Sequence, residues 1–113
     1  MRYAVEITDV AFEAILGQAR YIAVDRQAPL NARRWIEQVW DVIDDLEHMP
    51  ARHNLAPEDA FKTYEVRRAV IGDYFILFTI DEDACKVWVI GARHGSRRPR
   101  PEDLPETLFG NEK

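Results

Sequence analysis

Residues 3–7 alternate, with Tyr3, Val5 and Ile7 on one parity and Ala4 and Glu6 on the other. That is the period of a strand covered on one side. Thr8 and Asp9 then supply side-chain oxygens suited to capping a helix. Behind them Phe12, Ile15, Leu16, Ala19 and Ile22 recur at three and four residues, which predicts one apolar helical face. The pattern fades near Arg26, and Pro29 suits the first turn of a second helix, where its missing N–H costs nothing. There Ile36, Val39, Ile43 and Leu46 repeat the stripe, widened by Trp40 and Met49, until Pro50 ends it. So short a break predicts two antiparallel helices in a hairpin.

A linker over 51–60, polar apart from Leu55 and interrupted by Pro57, leads to three strand-like runs at 62–70, 74–81 and 86–93. Gly72-Asp73 punctuates the first pair and residues 81–84 the second, so consecutive runs should be hairpin partners. The order β-α-α-β-β-β predicts an α+β fold, an antiparallel sheet with an N-terminal helical hairpin packed on one face. In 74–80 and again in 87–90 both parities are apolar. Helices cover one face only, so the second face needs another cover. Two are open: the chain's own tail, through Leu104, Leu108 and Phe109, or a partner chain, since large exposed apolar patches mark contact sites.

At 113 residues the chain suits one domain, read as 1–100, with an acidic tail at 101–113 that forms a short helix near 104–109 or stays loose. No apolar run approaches the roughly 20 residues that cross a bilayer, and the start has no signal-peptide pattern. The single cysteine, Cys85, cannot form an internal disulfide, which suits a buried thiol in a reducing compartment. The expectation is a cytoplasmic protein with no membrane contact. The net charge of −5 divides unevenly: residues 1–60 sum to −5, 61–100 to +3 and 101–113 to −3. A general polyanion binder is excluded by this balance, and any nucleic-acid contact has to be local to the basic middle segment.

That segment carries the candidate chemistry. Arg93, His94, Arg97 and Arg98 fall within a few residues, where an apolar strand run stops. Arginine keeps its charge and grips carboxylate or phosphate at two points, and histidine exchanges protons near neutrality. Arg67 and Arg68 point to opposite faces of their strand, so one of them can share a face with the later cluster. His94 is then a candidate general acid or base, with arginines to stabilise charge on a phosphorane. His48 and His53 straddle Pro50 without a ligand spacing, and no phosphate loop or dinucleotide fingerprint is present, so neither a metal nor a cofactor is expected.

Taken together, several motifs carry a resemblance. They are Ala19-Arg20-Tyr21-Ile22-Ala23, the helix end Ile43-Asp44-Asp45-Leu46-Glu47-His48-Met49-Pro50, Tyr64-Glu65-Val66-Arg67-Arg68, Gly72-Asp73-Tyr74-Phe75-Ile76-Leu77-Phe78, and Val89-Ile90-Gly91-Ala92-Arg93-His94-Gly95-Ser96-Arg97. In order and spacing the chain resembles the RelE/ParE superfamily of toxins from bacterial type II toxin–antitoxin modules, over about residues 2–100. The resemblance implies growth inhibition and a cognate antitoxin in a hetero-oligomer. The implied target is DNA gyrase for ParE-like members and the ribosome with its mRNA for RelE-like ones. The chain departs from the nuclease branch: its pI is about 5.2, residues 61–100 hold only Lys62 and Lys86 as lysines, and no Tyr follows the basic cluster. A ParE-like toxin acting by binding is therefore the first reading. A RelE-like ribosome-dependent endoribonuclease is the alternative, with Arg67, Arg68, His94 and Arg97 as its catalytic residues. A relative that keeps only antitoxin binding is the third. The partner-binding residues expected from the uncovered face and the basic edge are Tyr74, Ile76, Phe78, Trp88, Arg93 and Arg98.

Overall fold

The elements follow in the expected order. In the computed structural model, which describes residues 2–107, β1 (Ala4–Ile7) leads into α1 (Asp9–Arg20), one π-helical turn (Tyr21–Asp25) and α2 (Pro29–Asp45). β2 (Arg67–Ile71), β3 (Tyr74–Asp81) and β4 (Lys86–His94) complete the chain's sheet. Thr8 caps α1, its Oγ1 accepting from the Ala11 N–H at 3.2 Å, and Pro29 opens α2. The helices bury Ala11, Ile15, Trp35, Val39, Ile43 and Leu46 against Ala69, Ile71, Ile76, Phe78, Val87 and Val89 of the sheet. Trp35, one residue off the expected stripe, fills the centre of this layer. Met49 lies outside it, 72% exposed, because α2 stops at Asp45 and Met49 sits in a left-handed turn with φ of 46°.

The sheet runs β1-β4-β3-β2. β2, β3 and β4 pair antiparallel, whereas β1 lies parallel to β4, so the sheet is mixed. A parallel neighbour needs a long crossover, and the helical hairpin with β2 and β3 supplies it. β2 is shorter than the expected 62–70. The Val66 N–H donates to Asp59 Oδ1 at 2.9 Å, and its carbonyl accepts from the Ala56 N–H at 2.8 Å. Those bonds commit Val66 to the linker rather than to the ladder.

Much of the second sheet face is covered by the chain itself. Ala56, Val66, Leu77, Ile90 and Leu104 form a separate buried cluster, with Tyr64, Phe75 and Trp88 packed around it. Leu104 sits where any side chain at Gly91 would stand: a Cβ there would lie 2.9 Å from Leu104 Cδ2. Tyr64 Oη donates to the Pro105 carbonyl, and Lys62 Nζ donates to that of Leu104 at 3.2 Å. Of the two expected covers, the chain's own tail is the one found, through Leu104, and the linker adds Ala56, which was not expected. Leu108 and Phe109 lie outside the described residues.

One irregularity sets up the functional end. Leu77 pairs with Gly91 but Phe78 pairs with Val89, which leaves Ile90 as an extra residue in β4. Such a bulge reverses the side-chain alternation beyond it. Val87 and Val89 face the helices, Ile90 and Gly91 both face the second side, and Ala92 returns to the helices. In consequence Arg93 emerges over Phe75 on the second face, and His94 lies against Tyr74 on the helix side.

Candidate docking cleft beside the last strand

β1 pairs with β4 only from Lys86 to Val89. The Thr8 N–H then donates to the Val89 carbonyl at 3.0 Å, and the chain turns away into α1. From Ile90 onward no described strand lies on that edge of β4. A cleft of about 560 Å³ opens there, between Val10, Ala14 and Gln18 of α1 and the segment 97–104. Its floor is the end of β4, and its rim carries Arg97, Arg98 and Arg100.

The rim is held from beneath by a buried ion pair. Glu58, only 1% exposed, accepts from Arg93 Nε at 2.6 Å and from Nη2 at 3.2 Å. Arg93 Nη1 donates to the carbonyls of His94 at 3.3 Å and Arg97 at 3.1 Å, which fixes the turn after β4. The guanidinium carbons of Arg93 and Arg68 lie 4.9 and 4.7 Å from the Phe75 ring centroid, a favourable cation–π distance. Glu58 therefore neutralises the charge beside the sheet. Arg100 is likewise paired, with Asp103 at 2.9 Å. Arg97 and Arg98 are exposed and have no acidic partner among the described residues. The cleft thus presents two uncompensated guanidinium groups beside an open strand edge.

The expected catalytic residues are not gathered at one point. Arg67, on the helix side of β2, donates to the His53 carbonyl at 2.7 Å and pairs with Glu65 at 3.1 Å, so it braces the linker. Arg68 lies on the second face over Phe75. His94 lies on the opposite face, its ring centroid 4.9 Å from that of Tyr74. His94 Nδ1 accepts from the Ser96 N–H at 3.1 Å, with Ser96 Oγ 2.7 Å away, which leaves Nε2 to carry the ring proton. Only His94 and Arg97 share the cleft.

The expected partner-binding residues also divide. Ile76 and Phe78 are wholly buried under the helices and are not surface at all, a correction that follows from the even-numbered residues of β3 facing the hairpin. Tyr74 is half-buried, between Trp35 at 5.2 Å and His94, and its hydroxyl accepts from Gln18 Nε2 at 2.5 Å. Trp88 is half-buried on the second face, with Lys86 Nζ 5.3 Å from its ring. Arg93 is held by Glu58, while Arg98 stands in the cleft. Sequence reasoning missed Glu58 and Gln18. Glu58 had one signal, an acid immediately after Pro57 in a linker otherwise read as solvated. Gln18 had none, being a polar residue flanking an apolar stripe.

Residues 5–99 match the family described as the ParE toxin of type II toxin–antitoxin systems, parDE. The chain belongs to this family. Among solved structures, the fold of this ParE-family chain is similar to one in the toxin–antitoxin complex RelBE2 from Mycobacterium tuberculosis. That match has 21% identity and a TM-score of 0.56, and covers 83% of this chain and 92% of the other. A second similarity is to the archaeal RelE–RelB complex from Pyrococcus horikoshii OT3, at 18% identity and a TM-score of 0.50, covering 87% of this chain and all of the other. No curated protein matches the chain.

Proposed function

We propose that this ParE-family protein arrests growth by binding its target, DNA gyrase, and is silenced by an antitoxin whose acidic segment lies in the cleft beside β4. The observation that carries the antitoxin reading is the pairing of an open strand edge with Arg97 and Arg98. Backbone groups of an unpaired edge offer hydrogen bonds to an added strand, and two free guanidinium groups favour carboxylates. Of the two similar structures, one is the toxin–antitoxin complex RelBE2 and the other a RelE–RelB complex, which agrees with such a partner. Binding rather than cleavage is supported by the separation of Arg68 from His94 across the sheet and by the engagement of Arg67 in the linker. General acid–base catalysis needs its groups within hydrogen-bond reach of one phosphate.

Expression of the chain alone should arrest growth, and co-expression of the product of the neighbouring gene should relieve the arrest. Purified protein should then inhibit supercoiling by gyrase while messages from arrested cells stay intact in primer extension. Codon-linked breaks in those messages, with supercoiling unaffected, would establish the nuclease instead.

A further inference from the structure

The tip of the helical hairpin holds polar groups that the cleft beside β4 does not use. Arg26 follows the π-helical turn, and Asn31, Arg34 and Gln38 lie on the first half of α2. With Trp35 and Tyr74 they line a second cleft of about 480 Å³. No acidic side chain lines it, and neither arginine has an ion-pair partner among the described residues. Trp35 is only 7% exposed, and its buried indole N–H has no acceptor among the described residues. α2 begins at Pro29 behind Ala28, which supplies no side-chain cap, and has no acid in its first turn. An uncapped helix start presents free amide donors and partial positive charge. Every one of these features donates; what the cleft lacks is a negatively charged acceptor.

We propose that this cleft is an oxyanion site that takes a side-chain carboxylate from an acidic segment of a protein partner. A nucleic acid is disfavoured, because residues 1–60 carry a net charge of −5 and repel a long polyanion. An acidic protein segment meets less of that repulsion. It also covers Val24 and Leu30, which are 65% and 67% exposed in the same turns as Arg26 and Asn31. The site is distinct from the cleft beside β4. Gln18 lines that cleft and Tyr74 lines this one, and the two clefts meet at the hydrogen bond between them.

The test uses the whole protein with its tryptophan indoles labelled with ¹⁵N, and the Trp35 signal is assigned by its loss in Trp35→Phe. A short end-blocked peptide of Asp and Glu, the same peptide with Asn and Gln, and inorganic phosphate are titrated separately. The acidic peptide should move the Trp35 signal saturably, and the amide peptide should not. Arg26→Ala with Arg34→Ala should weaken the effect by roughly tenfold or more, the scale of a lost charge-assisted contact. The Trp40 and Trp88 signals should stay in place and report an intact fold. Arg97→Ala with Arg98→Ala should leave the titration unchanged, so it can succeed or fail independently of the antitoxin reading. A Trp35 signal unmoved by the acidic peptide, or moved equally by the amide peptide, overturns the site. A shift that phosphate reproduces at the same concentration overturns its assignment to a protein carboxylate.

Discussion

Arg93 shows how one side chain can be spent on scaffolding although its position marks it for recognition. Its fork is closed on Glu58, a carboxylate almost wholly removed from water, and its remaining N–H groups organise the turn that carries Arg97 and Arg98. Removing one member of a buried pair strands the other's charge, which typically costs about 3–5 kcal/mol. Glu58→Ala should therefore lower the unfolding free energy measured in urea by that order. Glu58→Leu with Arg93→Met should recover most of the loss, because the pair leaves together. His53 acts in the opposite sense. Burial, reinforced by the neighbouring Arg52 guanidinium, holds its ring below the usual 6.5. Its Nε2 is buried without a hydrogen-bond partner among the described residues. As pH falls below about 6.5 the unfolded chain takes up this proton first, so stability drops until the folded value is passed and then levels. His53→Gln should flatten the decline of the urea midpoint between about pH 7 and pH 5; an unchanged slope would show that His53 contributes nothing to it.

Among the elements, the tail is tied to the sheet chiefly through Leu104. Leu104 covers Leu77 and Ile90 only because Gly91 has no side chain. Leu104→Ala should cost about 2 kcal/mol, the lower end for a buried leucine, since a terminal segment can resettle. Gly91→Val should displace the same side chain. The two changes should therefore be much less than additive in thermal unfolding. If they add fully, Leu104 does not depend on Gly91. The periodicities of α1 and α2 were legible because each sets one apolar face against a core, and β3 and β4 were legible as apolar, β-branched and aromatic runs between turn residues. Trp35 was not, since a stripe some 100° wide admits either Trp35 or Ile36 and ring volume decides. Nor was the bulge, because Val89-Ile90-Gly91 is apolar throughout and no alternation exists there to be seen broken. Without it Arg93 and His94 would have changed places between the faces. The burial of Ile76 and Phe78, and the covering of the second face by Ala56, Val66 and Leu104, depend on packing between segments far apart in sequence. The basic cluster itself was plain, but which of its members are free depends on Glu58, which reaches Arg93 only in the fold.

For the molecule as a whole, a net charge of −5 is set against two arginines at one rim, unpaired among the described residues, and the proposed antitoxin contact rests on that local surplus. Arg97 and Arg98 sit at an exposed rim, where screening is effective, so antitoxin affinity should fall as salt rises from about 0.05 to 0.5 M. An affinity independent of salt would mean that apolar and backbone contacts alone hold the partner. The broader account places recognition on the edge of β4 rather than on the face of the sheet, which the chain keeps for its own linker and tail. Calorimetric titration of the neighbouring gene's product into the wild type and into Arg97→Ala with Arg98→Ala addresses this most directly. The account predicts binding weakened by roughly a hundredfold in the variant, the order expected for two lost charge-assisted contacts, with the fold intact. Equal affinity in the two proteins would contradict it.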